Sequence, residues 1–227
     1  MLKTKNSMPE TSVILPAIIP QSPLHLEEIL ARLSFAPAFQ IDIVDGIFAT
    51  PASWPYEPKG TITDIAAHLS PYRIELDLMV EGPLAAAKEW YAIGVRSFIF
   101  HLESDGDIEA LRTWKEEMQV TLGGCIGNNT DSSLLTNNID LFDYVQVMGI
   151  DEVGAQGRPF DERALARITE LRTQFPHLTI SVDGSVNETT LPLLKEAGAN
   201  RFVVGSAIVG ASDPRKAYDN LTSLAQQ

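Results

Sequence analysis

The chain has 227 residues, 44% of them hydrophobic and 21% charged, which is enough to bury one sizeable core and leaves no room for a second full domain. Thirty acidic against 17 basic residues give a formal net charge of -13, which argues against a broad nucleic-acid or anionic-membrane footprint, so any phosphate binding must be local. No apolar run approaches the roughly 20 residues of a membrane span. The opening MLKTKNSMPETS is too polar for a secretory signal and the single Cys125 fits a reducing compartment, so a cytoplasmic protein is expected.

Residues 1–12 are predicted as a flexible N-terminal segment and 13–227 as the folded domain. Within it, eight short β-rich runs alternate with stretches of helical period: VILPAI (13–18), FQIDIV (39–44), RIELDLM (73–79), SFIFHL (97–102), VTLGGC (120–125), YVQVMG (144–149), LTISVD (178–183) and RFVVG (201–205). Several are apolar on both faces, as buried parallel strands should be. Between them lie amphipathic stretches such as LHLEEILARLS, PLAAAKEWYAIG, DIEALRTWKEEM, FDERALARITELRTQF and ETTLPLLKEAGA, with acidic or Ser/Thr/Asn starts and frequent Gly ends. The repeated unit predicts an α/β fold, either a closed (β/α)8 TIM barrel or an open doubly wound sheet; polar residues gathered at the C-terminal ends of many strands favour closure.

Those strand ends carry the candidate chemistry. Period-two alternation turns Gln40 and Asp42 to one face of the second strand and Glu75 and Asp77 to one face of the third. Asp183 ends the seventh strand and His101 the fourth. Asp45, followed by Gly46, reads equally well as a loop-bonding residue. Three carboxylates at one barrel mouth, Asp42, Asp77 and Asp183, would repel one another unless a divalent cation or bound protons compensate. No lysine lies inside any expected strand, so a Schiff-base mechanism lacks its nucleophile.

The late loops MGIDEVGAQGRPF, DGSVNETT and GSAIVGASDP set glycine beside small or hydroxyl residues, where a backbone can approach an anion closely. Gly184, Ser185, Gly205 and Ser206 are the candidates for a phosphate; Arg158 can add charge to the loop after the sixth strand, although an exposed solubilising residue is the favoured reading. The aromatics of FATPASWPYEP can cover the pocket, make a contact in a homo-oligomer, or simply pack.

The ordered series QIDIVDGIF, LDLMVEGP, FIFHLES, VQVMGI with VGAQGRPF, and VDGSVNETTLPLLKEAGANRFVVGSAIVG resembles the ribulose-phosphate 3-epimerase family over nearly the whole chain. The resemblance implies a ribulose-phosphate-binding type of barrel acting on a small phosphorylated sugar. It implies that Asp42 and Asp183 move a proton at C3 from opposite faces of a ketose phosphate, interconverting D-ribulose 5-phosphate and D-xylulose 5-phosphate. It also implies a metal held by both aspartates and by two histidines, whose positions are Gln40 and Asp77 here.

Met79 and Met148 match methionines of the family's pocket, where His101 is also expected, and Gly154, Gln156 and Gly157 fall in its phosphate-side loop. Ala17 replaces a substrate-contacting serine, and IDEVGAQG replaces an Asn-Pro-Gly-Phe-Gly-Gly pattern. An all-oxygen set of Gln40, Asp42, Asp77 and Asp183 suits Mg²⁺ or Mn²⁺ better than Zn²⁺ or Fe²⁺. The competing view is loss of the metal and a non-catalytic or weakly active sugar-phosphate-binding barrel. A decarboxylase of related fold is disfavoured, since neither DIVDG nor DLMVEG contains a lysine.

Overall fold

The computed structural model describes residues 13–104, 106–154 and 157–227. Eight parallel strands follow one another around a closed barrel: β1 Val13–Ile18, β2 Ala38–Val44, β3 Arg73–Met79, β4 Ser97–His101, β5 Thr121–Ile126, β6 Tyr144–Met148, β7 Ile180–Asp183 and β8 Arg201–Val204. Because β1 pairs with β8 as well as with β2, no strand edge is left open, and the alternative of an open sheet is ruled out. The expected segment 1–12 and Gln156 lie outside the described residues.

The helices are α1 Pro23–Arg32, α2 Ala66–Leu69, α3 Pro83–Ala92, α4 Ile108–Met118, α5 Ser133–Thr136, α6 Arg163–Gln174, α7 Leu191–Ala197, α8 Ser206–Val209 and α9 Pro214–Gln226. Their starts follow from side chains that occupy otherwise unbonded amides. Ser22 Oγ accepts from His25 N ahead of Pro23, Asp107 accepts from the amides of Glu109 and Ala110, and Asp213 accepts from Lys216 N ahead of Pro214. Gly198, at φ 114°, ends α7 in a conformation that a side chain resists. No helix among the described residues is long and apolar enough to cross a membrane.

Alternation along each strand divides the molecule into an outer core and an inner one. Phe39, Ile41, Ile43, Leu76, Leu78, Phe98, Val145, Val182 and Phe202 are fully buried or nearly so, and belong to one apolar cluster with Leu26, Trp90 and Leu171 of the helices. The loop after β2 joins this cluster. Trp54 is 1% exposed and stands edge-on to Trp90 with ring centroids 6.3 Å apart. Of the three possibilities for FATPASWPYEP, Trp54 therefore takes the packed one. Gly60 is required beneath it, because a Cβ there would fall 1.8 Å from Trp54 Nε1.

The other core, inside the barrel, is mixed: Leu15, Ala17 and Val203 form one apolar cluster and Ile99, Cys125, Tyr144 and Met148 belong to another, so β1 is apolar on both faces as expected, and a buried polar set lies beside them. Bonds between strands that are not neighbours can only cross the lumen, and they do so at two levels. Near the floor, Arg201 Nη2 of β8 lies 2.9 Å from Glu75 Oε1 of β3, while Tyr144 of β6 and Ser97 of β4 both donate to Glu75 Oε2. The Arg201 guanidinium also lies over the Tyr144 ring, 4.8 Å from its centroid. Burial, reinforced by the facing Glu75, pushes the Tyr144 phenol well above its usual range, so it remains a donor.

Removing one member of such a pair leaves a charge stranded in a low-dielectric interior, which costs more than removing both. Arg201→Met is expected to destabilise the fold by about 3 kcal/mol, and adding Glu75→Leu should recover most of that loss. Urea unfolding of the single and double variants checks this; equal destabilisation by both would refute it.

Candidate active site

The second level of the lumen is the mouth, at the C-terminal ends of the strands, where loops meet a barrel's interior. Asp42 of β2 sits in register with Asp77 of β3, and Asp183 is the last residue of β7. Carboxylate oxygens of all three lie within 4.8 Å of one another. Gln40 Nε2 bridges two of them, donating to Asp42 Oδ1 at 2.8 Å and to Asp183 Oδ2 at 2.7 Å. Asp77 lies on a separate branch: His101 Nε2 is 3.0 Å from its Oδ1, and Gln146 Nε2 of β6 donates to its Oδ2 at 2.9 Å.

The two branches differ in charge. Burial opposes a proton on His101, but the facing Cys125 thiol and Asp77 carboxylate outweigh it and hold the imidazole well above its ordinary pKa. Burial also pushes the Cys125 thiol up to about 11. An imidazolium on His101 therefore balances Asp77, as Arg201 balances Glu75. Asp42 and Asp183 have only the neutral amide of Gln40 between them. Burial and then mutual repulsion raise Asp42 well above the usual carboxylate range. Burial and the nearby Asp77 raise Asp183 to about 7. The pair thus holds a proton at neutral pH, the resting state of an acid and a base side by side.

The residues present also fit a divalent cation. Three carboxylates within reach of one point are hard oxygen donors; Gln40 presents Nε2 to two of them, and turning its amide over would bring Oε1, buried with no hydrogen-bond partner among the described residues, to the same side.

Above the carboxylates opens a cavity of about 240 Å³, whose walls include Asp42, Asp183, Met79, Met148 and Ala17. Gly154, Gly157, Gly184, Ser185, Gly205 and Ser206 line its other side, so the described residues chosen from the three late loops meet at one cavity. Gln40, Asp77 and His101 are not among the residues that line it, and His101 is bonded to Asp77 rather than facing the cavity as expected.

Arg158 lines the same cavity and is paired with Glu152 at 3.0 Å. Ser185 Oγ donates to Arg158 O, tying the loop after β7 to the loop after β6. Gly149 permits that approach, since a Cβ there would lie 2.1 Å from Gly184 O. Further out, Arg163 bonds Asp151 and Asp161, and Asn128 Nδ2 donates to Met148 O and Asp161 Oδ2, bracing the described parts of the β6 loop. Asp45 takes its structural reading: it accepts from the amides of Ile47, Phe48 and Glu81.

Gln146, Arg201 as the partner of Glu75, and Cys125 as a neighbour of His101 were not singled out in sequence. The available signal was weak: in YVQVM and RFVV, alternation turns Gln146 and Arg201 inward, but a lone polar residue in an apolar run does not reveal its partner.

The model of the "Ribulose-phosphate 3 epimerase family" matches residues 13–209. The chain is 28% identical to ribulose-phosphate 3-epimerase of Bacillus subtilis over 194 residues, covering 82% of this chain and 86% of that one. It is 31% identical to ribulose-phosphate 3-epimerase of Candida glabrata over 139 residues, 61% of this chain and 56% of the yeast protein. Among solved structures, a 3-hexulose-6-phosphate synthase superposes with a TM-score of 0.68 over 95% of this chain and 100% of that one; at 20% identity the likeness is one of fold.

A carboxyl whose folded pKa exceeds its unfolded value keeps a proton that the unfolded chain releases, so stability is lost as pH rises from the unfolded value through the folded one. For Asp183 that window runs from 3.8 to about 7. In metal-stripped protein, Asp183→Asn is therefore expected to be more stable than wild type at pH 8, by roughly 1 to 3 kcal/mol, and no more stable near pH 4. Urea midpoints across this range provide the check, and a pH-independent difference would contradict the assignment.

Proposed function

Because the chain belongs to the ribulose-phosphate 3-epimerase family, we propose that it interconverts D-ribulose 5-phosphate and D-xylulose 5-phosphate, with Asp42 and Asp183 as the two proton-transfer groups. One observation carries the reading: of the described residues on the cavity wall, the carboxylates are Asp42 and Asp183, brought there from β2 and β7 and bridged by one amide.

The chemistry follows from that pair. The ionised carboxylate takes the proton from C3 of the bound ketose; the bonding electrons become the C2–C3 double bond, and charge moves onto the C2 oxygen. The protonated carboxyl on the other side gives its proton to C3 from the opposite face, which inverts the centre. The pair ends with its protonation states exchanged, ready for the reverse direction, and exchange with water resets it. Removing solvent from the pair raises both pKa values toward neutrality, where an acid and a base can coexist.

Gln40, Asp42, Asp77 and Asp183 are the residues that would hold a divalent cation, Mg²⁺ or Mn²⁺ by the hardness of their oxygens. Bound there, such an ion supplies Lewis-acid stabilisation of the enediolate oxygens. The phosphate is assigned to the backbone of the late loops, at Gly154, Gly157, Gly184, Ser185, Gly205 and Ser206, with Gln156 completing the set chosen from sequence. Local amides suit a chain whose overall charge of -13 repels anions. A cytoplasmic setting is part of this reading, supported by the single, buried Cys125.

In D₂O, the wild-type protein given D-ribulose 5-phosphate should place solvent deuterium at C3 as xylulose 5-phosphate forms. Asp42→Asn and Asp183→Asn should each lower kcat by about 10² to 10⁴. Exchange that survives in either variant at the wild-type rate, or its absence in wild type, would contradict the assignment.

A further inference from the structure

We propose that Gln146 is a positioning residue that fixes the direction of the Asp77 carboxylate and so sets the affinity of the oxygen site for its cation. The inference rests on the metal reading above and deepens it.

Asp77 is held at both oxygens, by His101 Nε2 at 3.0 Å and Gln146 Nε2 at 2.9 Å, and the two partners contribute differently. Histidine can carry a charge. The glutamine amide cannot, so its contribution is direction alone. A carboxylate held through one oxygen still rotates about its Cβ–Cγ bond; one held through both oxygens, from β4 and from β6, has its plane fixed. Gln146 reaches Asp77 across the lumen, since β6 and β3 are not neighbours in the sheet. Asp77 and Gln146 are 0% exposed and His101 is 1% exposed, so water does not compete for either bond.

A second observation separates this role from space filling. Gln146 Oε1 is buried without a hydrogen-bond partner among the described residues. Leaving such an acceptor bare costs about 1 to 3 kcal/mol, which a leucine or methionine of similar volume would avoid. The amide's compensating contact is the single bond from Nε2 to Asp77. That bond orients a group with a carboxylate oxygen in the same 4.8 Å cluster as oxygens of Asp42 and Asp183. Partners one step behind a ligand commonly set its affinity by this means.

The test titrates Mn²⁺ into the metal-stripped full chain and reads free ion by electron paramagnetic resonance, for wild type, Gln146→Leu and Gln146→Met. Wild type should bind Mn²⁺, and each folded variant should bind about 10-fold or more weakly. Circular dichroism and the metal-free unfolding midpoint should stay close to wild type. A folded variant whose Kd stays within about threefold of wild type overturns the role of Gln146 and leaves the metal site standing. Failure of the wild-type chain to take up Mn²⁺ overturns the metal site and this inference together, whereas the deuterium experiment reports separately on Asp42 and Asp183. Two apolar replacements of different shape guard against one that does not fold.

Discussion

Four acidic side chains share the lumen of one closed barrel, and each must meet a compensating partner or hold a proton. Glu75 is answered by Arg201 at the floor and Asp77 by His101 above it. Asp42 and Asp183 are left with a neutral amide between them. The negative charge that remains unanswered marks the place where a proton is shared or a cation fits. The site is therefore less an addition to the fold than the end of a polar column whose lower levels are already balanced.

This arrangement separates stability from chemistry within each strand. The outward-facing residues of β2, Phe39, Ile41 and Ile43, pack under the helices, while Gln40 and Asp42 between them face inward. Barrel interiors are commonly filled with branched apolar side chains. Here the interior carries ion pairs and amides beside Leu15, Val203, Ile99 and Met148, and the apolar layer outside supplies much of the burial that offsets the desolvation of the polar groups. Bonds across the lumen fix the relative placement of distant strands, from Arg201 to Glu75 below the reacting groups and from Gln146 to Asp77 beside them. Such fixed surroundings allow groups to be held at defined positions without reorganisation during a reaction.

Much of the fold was legible because strand and helix periods alternate clearly along the chain, and strand boundaries differ from expectation by two residues at most. Gln40, Asp42 and Asp77 were legible for the same reason: two polar residues spaced by two in an apolar strand share a face. Their meeting with Asp183 followed from the barrel, with the family resemblance supplying their roles. Gln146 and Arg201 were not legible because each is one polar residue in an apolar run, and their partners lie 69 and 126 residues away in sequence. Only the register of eight strands around a closed ring brings them together. Trp54 was ambiguous for a different reason: whether a loop aromatic packs inward depends on the loop's path, here set by Trp54 N bonding Pro20 O and by the room left at Gly60.

The charge on His101 tests this account most directly, because it decides whether Asp77 is balanced and Asp42 with Asp183 is the unbalanced pair. Nitrogen-15 NMR of the imidazole side chains in metal-stripped protein, with the His101 signal assigned by its loss in His101→Gln, reads that charge. The account predicts that both ring nitrogens of His101 carry protons at pH 7 and remain so above the range where an ordinary imidazole has lost one. A neutral ring at pH 7 would contradict it.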